Sequence, residues 1–160
     1  MILRLIAVGK LRERYWKEGV SDYLQRLKPY AKLEILEVSE AKLPIRPSSN
    51  EEQKAKAKEA EAITEKINGL RGLIVALDRQ GKVMDSLEFA RWLESQMLKD
   101  QKEINWIIGG HLGLDSSIIR KANLSLSFSN LTFPHQMMRL ILLEQIYRCF
   151  RIIHNEPYHK

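Results

Sequence analysis

The apolar positions along this chain switch repeatedly between two periods. Ile2–Val8 is a short apolar run ended by Gly9 and predicts a buried strand. Residues 15–27 place Tyr15, Trp16, Val20, Tyr23, Leu24 and Leu27 at helical spacing, with Lys17, Arg26 and Lys28 on the polar side. Lys32–Val38 alternates polar and apolar residues and predicts a second strand. Residues 39–50 read as a loop with two prolines and a Ser-Ser-Asn that can cap a helix. Glu51–Ile67 is rich in Ala, Lys and Glu, which predicts a solvated helix stopped at Asn68-Gly69. Leu73–Leu77 is apolar throughout, as a strand covered on both faces should be. A helix follows from Asp85 to about Lys99, then a strand at Ile104–Ile108. Asp115 caps a short helix that runs to Lys121, and Leu124–Phe128 is a fifth strand. The last helix spans about Pro134 to His154 and is apolar on more than one side, so it is deeply buried or shared with another subunit. Strand and helix alternate from end to end. That pattern predicts one α/β domain over residues 1–160, with a mainly parallel sheet and helices on both faces.

Composition narrows the classes. One cysteine, Cys149, makes neither an intrachain disulfide nor a multi-cysteine zinc site. No apolar run reaches the ~18 residues that span a bilayer, and Arg4 breaks the first one, so a soluble cytoplasmic protein is expected. The net charge of +6 is unevenly placed. Residues 1–33 hold 8 basic and 3 acidic residues and residues 133–160 hold 4 and 2, whereas residues 34–132 hold 14 and 15. A nearly neutral middle between basic ends suits a small ligand in the middle and an anionic polymer at the ends.

In open α/β sheets, ligands bind beyond the carboxyl ends of the strands. Three such loops have unusual composition: Leu77–Lys82, Gly109–Gly113 and Ser127–Pro134. The glycine loop lets backbone approach a ligand closely. Its spacing is G-G-x-x-G, it follows the fourth strand, and no acid lies ~20 residues on, so a nicotinamide-nucleotide dehydrogenase is disfavoured. The Ser127–Pro134 loop offers hydroxyl, amide and backbone groups to a neutral heterocycle such as adenine. The last residues, Arg148 to Lys160, interleave basic and aromatic side chains able to pair with phosphates and stack on bases. His154 and His159 lack supporting ligands for a metal, and Cys149 reads as a core residue.

Taken together, these segments resemble a known family over the full length. They are Ala7-Val8-Gly9-Lys10, Ile107-Ile108-Gly109-Gly110 with Gly113-Leu114, Leu126 through Arg139, and Glu144-Gln145 through the Pro157-Tyr158-His159-Lys160 ending. The chain is similar to the ribosomal RNA large subunit methyltransferase H family, small members of the SPOUT (α/β-knot) methyltransferases. The resemblance implies a homodimer with a C-terminal deep trefoil knot, a feature nearly absent from other folds. It implies S-adenosylmethionine as cofactor, held by Leu77, Gly109 and the run Phe128, Ser129, Asn130, Leu131, Thr132 and Phe133, with Asn130 acting through its backbone. It implies methylation of a pseudouridine in large-subunit rRNA at N3, with no metal.

Transfer to N3 needs alignment with the sulfonium methyl and loss of the N3 proton. The titratable candidates are His135 and His159, with Tyr158 and Arg139 to orient the base or stabilise its anion. Tyr158 and His159 are the expected pair, on a tail mobile enough to close over a flipped nucleotide. His135 is expected to cap the last helix. Lys10, Arg12, Arg14 and Lys17, with Arg148, are the expected RNA contacts, guiding RNA of one protomer toward the other's cofactor. Two rival readings are a same-class methyltransferase acting on another RNA such as tRNA, and a ribosome-binding module without catalysis.

Overall fold

A computed structural model describes residues 1–158. In chain order the elements are β1 (Ile2–Val8), α1 (Arg14–Leu27), β2 (Lys32–Val38), α2 (Ser49–Ile67), β3 (Leu73–Val83), α3 (Ser86–Leu98), β4 (Glu103–Ile108), α4 (Ser116–Lys121), β5 (Leu124–Ser127) and α5 (His135–Ile153). The five strands form one sheet in the order β2-β1-β4-β3-β5, and every pairing is parallel. The α/β architecture expected from the alternating pattern is the one observed.

Strand alternation divides the apolar residues between two faces. On β1, Leu3, Leu5 and Ala7 join a core with Val20 and Leu27 of α1, Phe89 and Leu93 of α3, and Leu142, Ile146 and Phe150 of α5. Ile6 and Val8 face the other way, toward Ala60, Ile63 and Ile67 of α2 and Ile118 of α4. Helices α1, α3 and α5 therefore cover one face and α2 and α4 the other. The middle strand β4 is buried from Ile104 to Ile108, as its apolar run requires.

Local chemistry sets the helix starts. Ser48 caps α2 and Asp85 caps α3, each in a reciprocal capping box with Glu51 or Glu88. Asp115 caps α4 through the Ser117 amide. Helix α5 differs from expectation. Its N-cap is Pro134, and no side chain caps it, so His135 is not a cap. Strand β3 also runs beyond the expected Leu77. Leu77 and Lys82 both lie opposite Leu126, so residues 78–81 bulge out of the ladder at its carboxyl end.

Candidate cofactor pocket and its rim

The three carboxyl-end loops converge on a cavity of about 850 Å³, within the ~300–1,000 Å³ usual for small-molecule sites. Leu77–Gln80 comes from the β3 ladder end and its bulge, Gly109–Leu114 from the end of β4, and Phe128, Ser129 and Leu131–Pro134 from the end of β5. The loops hold one another. Ser127 Oγ lies 3.0 Å from the Arg79 carbonyl and 3.2 Å from that of Ser129, which fastens the bulge to the β5 exit. The Leu131 amide donates to Ser129 Oγ at 2.9 Å. Phe128 is backed edge-on by Phe89, with ring centroids 6.1 Å apart, so this wall rests on the aromatic core.

The glycine loop is closed on itself by a Gly113 amide bond to the Gly110 carbonyl at 3.0 Å. A Cβ on Gly109 would stand 2.7 Å from the Gly113 carbonyl carbon, closer than real Cβ atoms approach. Only glycine permits this turn.

Of the expected cofactor contacts, Leu77, Gly109, Phe128, Ser129, Leu131, Thr132 and Phe133 line this cavity. Asn130 is exposed and is not among the lining residues. The lining also includes Lys56, Asp78, Arg79, His111, His135 and Met138. Asp78 and Arg79 were within reach of sequence reasoning, since they lie on a strand-end loop. Lys56 comes from α2, far away in sequence, and no pattern signals it. Apolar Ile108, Leu126 and Ile119 line the cavity together with the polar Ser129 and Thr132, a mix that fits the adenosyl group of a nucleoside cofactor.

Beside the cavity, the carboxyl ends of β1 and β2 bring charged side chains together. Glu40 Oε2 is 3.3 Å from Arg12, and its Oε1 is 3.4 Å from His111 Nδ1. His135 Nε2 and Glu40 Oε2 flank Gly9, at 3.4 and 3.5 Å from where its Cβ would stand, and Gly9 has φ +80°. Burial chiefly depresses the His135 pKa; Glu40 opposes this, while Arg139, His111 and Arg12 add to it. Glu59 of α2 is buried behind the glycine loop and accepts the Ala41 amide at 3.0 Å. Burial pushes its carboxyl pKa up, against that hydrogen bond.

The expected catalytic residues are placed elsewhere. Arg139 is fully buried. It donates to Glu37 Oε1 at 2.8 Å and to the carbonyls of Val8 and Gly9 at 2.9 and 2.8 Å. Its guanidinium is committed to the end of β1 and is not among the residues that line the cavity. Tyr158 also lies outside the cavity lining. Its hydroxyl donates to Glu144 at 3.1 Å and lies 3.2 Å from Tyr23 Oη, and its ring packs 4.9 Å from Tyr147. Glu156 is held by Arg151 at 2.7 Å and by the Tyr30 hydroxyl. Through Tyr158, then, the tail contacts its own α1 and α5. His159 lies outside the described residues.

Lys10 and Arg12 on the turn from β1 into α1, and Arg14 and Lys17 in the first turns of α1, are all exposed. Arg148 is half-buried, pairs with Glu144 and sits over the Tyr158 ring at 4.8 Å. Among the described residues, no group of three or more His, Cys, Asp or Glu side chains is placed to hold a metal ion. Nor is any helix among them long and apolar enough to cross a membrane.

A parallel sheet with its pocket at the carboxyl strand ends, walled by a glycine loop and a polar-aromatic loop, defines a cofactor-binding α/β enzyme. The family model described as "Predicted SPOUT methyltransferase" matches residues 1–159, and the chain belongs to that family of methyltransferases. It is 48% identical over 160 residues to proteins named "Ribosomal RNA large subunit methyltransferase H" from Carboxydothermus hydrogenoformans and Acetivibrio thermocellus, with both chains fully covered in each case. A "putative" protein of that name from Methanococcus vannielii is 47% identical over 160 residues, again across all of both chains. The fold also matches the structure of a probable methylase family protein from Haemophilus influenzae, with a TM-score of 0.57 and 11% identity, covering 99% of this chain and 70% of that one.

Proposed function

We propose that this protein transfers a methyl group from S-adenosylmethionine to N3 of a pseudouridine in the rRNA of the large ribosomal subunit. What supports the reading above all is the coincidence of two things. The full-length relatives carry the large-subunit rRNA methyltransferase name, and the residues that the resemblance assigns to the cofactor, Asn130 excepted, line one cavity here.

When bound, S-adenosylmethionine supplies a methyl group already activated on a sulfonium. The chain therefore needs to position, to shield and to manage a proton. Main-chain groups of residues 128–133 and of the Gly109 turn hold the adenosyl part, and Leu77 closes one side. The exposed Lys10, Arg12, Arg14 and Lys17 draw the RNA backbone, a salt-sensitive attraction.

The reading includes a homodimer. Met137 and Ile141 lie one helical turn apart on α5, half-buried and outside both core clusters, as a subunit contact requires. Because Tyr158 does not line its own cavity, Tyr158 and His159 serve on this reading from the second protomer. The trefoil knot belongs to the same proposal: residues 128–134 return the chain from the edge strand β5 to α5, which packs against α1 and α3. A cytoplasmic location follows from a ribosomal substrate.

The test is methyl transfer to isolated 50S subunits, 70S ribosomes and total tRNA side by side, with the modified nucleoside identified. Labelled N3-methylpseudouridine from 23S rRNA is expected. Label confined to tRNA, or no S-adenosylmethionine binding at millimolar concentration, would overturn the reading.

A further inference from the structure

We propose that His135 is the group that takes the N3 proton during methyl transfer. This rests on the pseudouridine-N3 reading above and adds the residue that reading leaves unassigned.

The cavity lining holds five titratable side chains: Lys56, Asp78, Arg79, His111 and His135. Lysine and arginine are cations at neutral pH and have no lone pair to offer. Asp78 is a far weaker base than imidazole. His111 is half exposed, at 51%, and its Nδ1 is turned to Glu40. His135 is the other imidazole of the five, and neither of its ring nitrogens meets a hydrogen-bond or ion-pair partner among the described residues. It directly follows the Phe128–Pro134 wall, so the chain that holds the cofactor also sets the position of the imidazole.

Its surroundings suit the task. The groups around it are Arg12 from the β1–α1 turn, Glu40 from the β2–α2 loop, His111 from the glycine loop, and Arg139 one turn along α5. Burial, the cations and the amino end of α5 keep the resting imidazole neutral and ready to accept. Glu40 is placed to stabilise the imidazolium once formed. Its Oε2 and His135 Nε2 share the space above Gly9 and are at most about 7 Å apart, the sum of their distances to its absent Cβ. In the transfer, the N3–H bond breaks and its proton passes to the neutral imidazole. The N3 electron pair forms the bond to the methyl carbon while the carbon–sulfur bond breaks and leaves its pair on sulfur. The sulfonium charge disappears as the imidazolium charge appears, and the imidazolium then returns its proton to solvent.

The test compares the native protein with His135→Gln on the ribosomal particle that the native protein methylates, from pH 6 to pH 10, with cofactor binding followed by calorimetry. The expected variant binds S-adenosylmethionine within twofold. It transfers at least a hundredfold more slowly at pH 7, and it regains rate as pH rises and N3 ionises unaided. Transfer within threefold of native at pH 7, with the same pH profile, overturns the proposal. Independently, an NMR titration of the native His135 imidazole is expected to fall below pH 6.5, and lower still in Glu40→Gln. An imidazole that remains charged at pH 7 overturns the proposal even if His135→Gln fails to fold. If the native protein methylates no rRNA, the parent reading fails and this proposal falls with it; native methylation matched in rate and pH profile by His135→Gln overturns this proposal alone.

Discussion

At the scale of single residues, two buried charges carry measurable consequences. Arg139 makes three hydrogen bonds that join α5 to Glu37 and to the carbonyls of Val8 and Gly9. Arg139→Met would strand both carbonyls and part of the Glu37 charge. The expected loss is about 3 kcal/mol, since removing one partner of a buried pair costs roughly 3–5 and Glu37 keeps some solvent. Urea denaturation reads this as a lower midpoint at unchanged slope. Glu59 has the opposite character. Its folded-state pKa is raised, so its favourable contribution is full below the ordinary value of 4.5 and is lost as pH rises through the folded value. A glutamine still accepts the Ala41 amide without the charge. Glu59→Gln should therefore melt higher than the native protein at pH 7 and lose that advantage at pH 4. An advantage independent of pH would show that Glu59 ionisation is not its source. Sequence reading found none of this. Arg139 and Glu59 sit in helices where a charged residue ordinarily faces solvent, and only packing reveals that these two do not.

At the scale of elements, the sequence was informative wherever a local rule operates. Ser48, Asp85 and Asp115 cap helices because the cap is satisfied within three residues. The glycine loop was legible as a close-approach turn for the same reason. Gly109→Ala forces a Cβ into the Gly113 backbone, and it should weaken S-adenosylmethionine binding at least tenfold, or about 1.4 kcal/mol, with the circular dichroism spectrum retained. Native affinity in this variant would remove the turn from the cofactor site. Less legible were the bulge that extends β3 past Leu77 and the bare amino end of α5. Both depend on partners distant in sequence: the bulge on Leu126 of β5, and the position of His135 on Gly9 and Glu40. A histidine next to a proline at a helix start looks like a cap until the loop before it is seen to wall a cavity.

At the scale of the whole molecule, the basic side chains of the first segment lie outside the cavity lining. Exposed Lys10 and Arg12, with Arg14 and Lys17 at the start of α1, follow the carboxyl end of β1, beside the pocket rim that Arg12 joins through Glu40. Replacing Lys10, Arg14 and Lys17 together with glutamine should leave cofactor affinity unchanged. Methylation of ribosomal particles should fall at least tenfold at 150 mM salt, with a shallower dependence on salt. Equal methylation at every salt concentration would place the RNA surface elsewhere. Arg148, by contrast, is engaged with Glu144 and Tyr158 within its own chain.

The sequence by itself determined the alternation of strands and helices, the two apolar faces, the caps and the three loops that bear the pocket. Each depends on a period or a spacing of a few residues. Tertiary structure decided the strand order, the burial of Arg139 and Glu59, the docking of Tyr158 on α5, and the meeting of His135 with Glu40 over Gly9. Those features join residues from different elements, from 14 positions apart for Tyr158 and Glu144 to 131 for Arg139 and Val8. Their energies exist only once the sheet has assembled.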